Sequence, residues 1–140
     1  MLILGERGTG KSTWVRQQHR DSIRVDLLAP EQLRAYLGRP ERLREVVRAA
    51  PPGTTIVLDE IQRLPALLDV VHELIESQST HRFVLTASSV RKLRRSGANL
   101  LAGRAVERSL QPFMAAELGE AFDLERALEV GLLPLVHAVD

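Results

Sequence analysis

The segment Gly5 to Ser12 reads Gly-Glu-Arg-Gly-Thr-Gly-Lys-Ser and fits the spacing G-x-x-x-x-G-K-S/T. Four apolar residues, Met1 to Leu4, precede it, and a helix-compatible run, residues 13–20, follows. Strand, glycine-rich loop and helix in that order make a cradle for phosphate groups. Three glycines let the main chain curl so that several N–H groups point inward. The new helix adds the positive end of its dipole. The expected cradle comprises Gly5, Glu6, Arg7, Gly8, Thr9, Gly10, Lys11, Ser12 and Thr13. Lys11 supplies a mobile positive charge for the β- and γ-phosphates, and the Ser12 hydroxyl suits Mg²⁺. Only Lys11 and Lys92 are lysines among the 19 basic residues, so the lysine in the loop stands out.

The remaining chain alternates strand and helix patterns. Residues 23–28 alternate Ile23, Val25 and Leu27 with Ser22, Arg24 and Asp26, which predicts a short strand. Asp26 falls at its end, either facing a ligand or solvated. Pro30 and Pro40 each open a helix; in the second, Leu43, Val46, Val47 and Ala50 recur at helical spacing. Residues 54–58, Thr-Thr-Ile-Val-Leu, form a continuous run, as expected of an inner parallel strand buried on both faces. Pro65 starts a helix with an apolar stripe of Leu67, Leu68, Val71, Leu74 and Ile75. Its outer face carries Asp69, His72 and Glu76, a surface charge cluster rather than a metal site. Residues 82–87 and 105–110 predict two more strands, and residues 91–95, 113–118 and 124–128 predict short helices. Trp14 is expected in the core, with the edge of a base-stacking site as the alternative. The whole is an α/β domain with a mainly parallel sheet of about five strands. Right-handed crossovers then bring Gly5, Asp26, Asp59 and Ser88 to one sheet edge.

A second motif gives this edge its chemistry. Thr55-Ile56-Val57-Leu58-Asp59-Glu60 is an apolar strand ending in two acids. A carboxylate at such a position holds Mg²⁺ on the terminal phosphates, usually through water, and that is the role expected of Asp59. Glu60, one residue on, is placed to orient and deprotonate the attacking water. Ser88 or Ser89 either bonds the γ-phosphate or caps the next helix. Arg104 is a candidate for contacting a phosphate in its own or a neighbouring subunit.

The 140 residues suffice for one domain with a real core, and a net charge of +1 gives no global field favouring DNA or an anionic membrane. The segment 91–95 is the sole candidate nucleic-acid patch, and it lacks interleaved aromatics. Without cysteine there is no disulfide framework or thiolate nucleophile. No run is long enough to span a membrane, and a cytoplasmic location is expected. Both ends read as cut, as in a fragment of a longer protein.

The strings GERGTGKST, VLDEIQRLP, FVLTASSVRKL and LLAGRAVERSLQPFMAAEL, then GLLP, occur in the order seen in a known family. The chain resembles the AAA+-type prokaryotic P-loop ATPases with an Asp-Glu-Ile-Gln Walker B. The resemblance implies a three-layer α/β/α P-loop core over residues 1–112, with residues 113–140 as an incomplete helical continuation. It implies Mg²⁺-dependent ATP binding and hydrolysis, with ATP and Mg²⁺ as cofactors and a homo-oligomer or protein partner. It carries Lys11 and Ser12 over as Walker A residues, Asp59 and Glu60 as Walker B, Ser88 as the sensor hydroxyl and Arg104 as the Gly-Arg arginine. Alternatives are a P-loop kinase, with the segment 91–95 as a lid, or an ATP sensor that does not hydrolyse.

Overall fold

The computed structural model describes residues 1–77, 79–95 and 101–137. Residues 138–140 of the expected C-terminal segment lie outside the described part. Five strands, β1 (Leu2–Leu4), β2 (Ile23–Asp26), β3 (Thr55–Asp59), β4 (Arg82–Ala87) and β5 (Glu107–Ser109), form one sheet in the order β2-β3-β4-β1-β5. All four pairings are parallel. Helices α1 (Lys11–Gln18), α2 (Pro30–Leu37), α3 (Arg42–Ala49), α4 (Ala66–Glu76) and α5 (Val90–Arg95) connect the strands, and α6 (Ala115–Leu118), α7 (Leu124–Val130) and α8 (Pro134–His137) follow.

Strand period two divides the core between the two faces of the sheet. Leu2, Ile56, Leu58, Phe83 and Leu85 point to the larger side, where Leu43 of α3, Leu67, Leu68 and Val71 of α4 and Leu93 of α5 join them. Ile3, Val57 and Val84 point to the other side, against Val15 of α1. The run 54–58 is therefore apolar throughout because both of its faces are covered.

Two expectations need correction. Trp14 is not in the core: it is 36% exposed. The buried face of the eight-residue α1 carries Lys11 and Val15, four apart, and Trp14 lies off that line. The strand expected over 105–110 contracts to Glu107–Ser109, an exposed edge strand with little to bury. The segment 91–95 lies within α5. Leu93 is fully buried and anchors α5 to the larger core cluster.

Candidate nucleotide site

The loop between β1 and α1 has the backbone a phosphate cradle needs. Gly8 and Gly10 have φ of 91° and 85°, the left-handed region that glycine enters without penalty. Gly5 is required for a different reason: a Cβ there would stand 2.2 Å from the main-chain oxygen of Leu110. Thr9 is buried and its hydroxyl donates to the carbonyl of Glu6 at 2.9 Å, closing the loop on itself. Lys11 is also buried, and its Nζ donates to the carbonyls of Gly5 at 2.8 Å and Glu6 at 2.7 Å. Burial pushes the Lys11 ammonium below its ordinary pKa, and Glu60 and Asp59 partly offset this.

A cavity of about 910 Å³ opens over the loop. Residues 7–13 line one wall, Glu60, Gln62, Ser88 and Ser89 another, and Leu110, Phe113, Pro134 and Leu135 a third. Its volume lies within the ordinary range for small-ligand sites, roughly 300–1,000 Å³.

The two acids are fixed by the register of β3 against β4. Leu58 lies opposite Leu85, so Asp59 comes beside Thr86. The Thr86 hydroxyl donates to Asp59 Oδ1 and accepts the Glu60 N–H at 2.9 Å. Glu60 has φ 61°, a left-handed backbone that costs a non-glycine residue about 1 kcal/mol or more. That turn separates the two side chains. Glu60 lines the cavity, and Asp59, largely buried, is not among the residues that line it. Ser88 Oγ donates to Glu60 Oε2 at 2.6 Å, and Gln62 Nε2 donates to the same oxygen. Gln62 Nε2 also donates to Ser88 Oγ at 2.9 Å.

Ser12 lines the cavity as expected, while Asp59 is 9% exposed with one oxygen taken by Thr86. Among the described residues no group of three His, Cys, Asp or Glu could hold a metal ion. A Mg²⁺ that leans on phosphates and keeps its waters needs only one or two protein oxygens, and Ser12 with Asp59 fits that demand.

The structure separates the two serines. Ser89 Oγ accepts the Lys92 N–H at 3.2 Å and so caps α5, whereas Ser88 faces Glu60. Asp26 takes the solvated alternative: its Oδ1 accepts the Leu28 N–H at 2.8 Å in a turn. Arg104 is not brought to the cavity of its own chain. It precedes β5, so in a parallel sheet it lies at the edge opposite the loop, near Met1 and Arg82. There it pairs with Glu76 at 2.5 Å.

Sequence reasoning missed Thr86 and Gln62. Thr86 had one signal, a polar residue closing the otherwise apolar run from Phe83 to Ala87. The AAA domain family model matches residues 1–119. The chain belongs to the AAA domain family. No curated protein sequence matches it. Among solved structures it is similar to the RuvB Holliday junction branch migration motor of Thermotoga maritima, with TM-score 0.60 and 19% identity. That match covers 92% of this chain and 42% of the other. It is also similar to C. elegans PCH-2, with TM-score 0.53 and 14% identity over 89% of this chain and 41% of that one. The chain thus spans less than half the length of either, and the likeness establishes the fold. No helix among the described residues of this AAA domain is long and apolar enough to cross a membrane.

The half-exposed Trp14 indole also lines the cavity and is the chain's one tryptophan. We expect its fluorescence to change on titration with ATP and to saturate at one equivalent per chain. An emission spectrum that stays constant while bound nucleotide is detected by dialysis would place the base elsewhere.

Proposed function

We propose that this AAA domain binds Mg²⁺-ATP in the loop cavity and hydrolyses it. The observation that carries this reading is the position of Glu60. Its carboxylate lines the same cavity as the Lys11 loop, and among the described residues nothing bonds its Oε1. Main-chain N–H groups of the loop bind the phosphates, and Lys11 leaves the Gly5 and Glu6 carbonyls to reach the β- and γ-oxygens. Ser12 directly, and Asp59 through water, would hold Mg²⁺, which when bound neutralises charge on the terminal phosphates. Glu60 Oε1 orients the water in line with the γ-phosphate and takes its proton. Ser88 holds the other oxygen of that carboxylate with its single proton, and to serve as the sensor hydroxyl it would turn that proton to the γ-phosphate.

Arg104 completes the proposal from outside. At the far edge of the sheet, half exposed, it would serve a neighbouring subunit of a homo-oligomer rather than its own cavity. The location proposed is the cytoplasm.

Purified chain supplied with ATP and Mg²⁺ is expected to release inorganic phosphate, and chelating the metal should stop it. Background phosphate release at saturating nucleotide, with Trp14 still responding, is the result of an ATP sensor and would overturn the hydrolase reading.

A further inference from the structure

The two donors on Glu60 are not equivalent. Ser88 stands at the end of β4, where a sensor hydroxyl is expected. Gln62 belongs to a 3-10 turn, Ile61–Arg63, immediately after the acid it touches. It is 6% exposed, far below what a glutamine in a loop normally shows. Its Nε2 donates to both Glu60 Oε2 and Ser88 Oγ, and its Oε1 is buried with no hydrogen-bond partner among the described residues. The reversed amide would set a carbonyl oxygen against the carboxylate, so the orphaned acceptor is the consequence of serving Glu60. A buried acceptor left unpaired is destabilising. A leucine or methionine at this position would fill the space without that penalty, so stability alone does not account for a glutamine here.

We infer that Gln62 is a positioning residue for the hydrolytic step, holding Glu60 Oε2 so that Oε1 is presented to the attacking water. The three side chains form a closed triangle, with Gln62 bonded to Glu60 and Ser88, and Ser88 bonded to Glu60. Ser88 alone leaves the carboxylate free to swing about a single bond. Two donors from different elements, β4 and the 3-10 turn, remove that freedom. The left-handed backbone of Glu60, held by Thr86, sets the root of the side chain, and Gln62 sets its tip. This inference rests on Glu60 acting as the base.

The test combines kinetics with a measurement on the nucleotide-free protein. Gln62→Met conserves volume and removes both donors. We expect it to lower kcat by about 10- to 100-fold, as for a reacting group displaced by about an ångström, with KM within about twofold. In the Glu60→Gln background the same substitution should cost nothing further, because the residue it positions has already lost its function. An equal loss in both backgrounds, or no loss in the wild type, would overturn the inference. Independently, the Gln62 side-chain amide resonance in ¹⁵N-labelled protein should lie away from those of exposed glutamines and return towards them in Glu60→Ala. A resonance unmoved by that change overturns it without any turnover being measured. Full activity in Glu60→Gln would instead defeat the base assignment itself, while the amide resonance still decides whether the contact exists.

Discussion

Lys11→Ala is expected to weaken nucleotide binding severely. The expected cost is about 2–5 kcal/mol, the range for truncating one partner of a buried charge pair, or a loss of roughly 30- to several-thousand-fold in affinity. The effect is large because Lys11 is the buried cation of the loop, whereas the other cations that line the cavity, Arg7, Arg63 and Lys92, are exposed. The alanine variant also leaves the Gly5 and Glu6 carbonyls without the donor they now hold, so a thermal melt run beside the binding assay separates a collapsed loop from a missing charge. The same group predicts a pH dependence. Burial lowers the Lys11 pKa, so the nucleotide-free ammonium loses its proton earlier than an exposed lysine as pH rises. ATP affinity should therefore weaken on the alkaline side, beginning below the ordinary lysine range. Folding responds with the opposite sign. The unfolded chain holds this proton more tightly, so the empty protein gains stability from Lys11 as pH rises from its lowered value towards the ordinary one. A binding isotherm unchanged in Lys11→Ala would remove the basis of the whole reading.

Glu60→Gln separates binding from turnover. The amide preserves shape but cannot take a proton, and general base catalysis contributes about 10²–10⁴-fold. We expect phosphate release to fall by that factor while the Trp14 titration stays within about threefold of wild type, since among the described residues Glu60 acts on the loop through its charge near Lys11 and not through a hydrogen bond. Comparable losses of binding and turnover would mean that Glu60 supports the cavity wall rather than the chemistry.

How much of this was legible in the chain depends on the range over which each feature is determined. The cradle is local: its glycines, its lysine and its serine lie within eight consecutive residues, and their spacing alone implies the turn. The parallel sheet is nearly as legible, because the residues of β3 are apolar on both faces and turn signals separate each strand from the next helix. Asp59 and Glu60 could be placed at a strand end, but not told apart in direction. That distinction comes from a left-handed φ at Glu60, which nothing in an acidic side chain announces. Thr86 and Gln62 acquire their roles only when β3 and β4 come into register, 26 residues apart along the chain for the Glu60–Thr86 contact. Trp14 illustrates the opposite limit. Its size suggested the core, yet an eight-residue helix has one buried line, and Lys11 and Val15 occupy it. Arg104 was read from its motif without regard to strand polarity, and polarity puts it at the far edge.

The stretch that follows β5 leans back on the phosphate cradle. Phe113 N–H donates to the Leu132 carbonyl at 2.7 Å, and a methyl group built on Gly8 would meet Leu135 at 3.5 Å and Leu133 at 3.7 Å. The loop and this late stretch thus both line the cavity, and a nucleotide bound there would touch both. Occupancy of the pocket would therefore bear on the packing of this late stretch as well as on the loop.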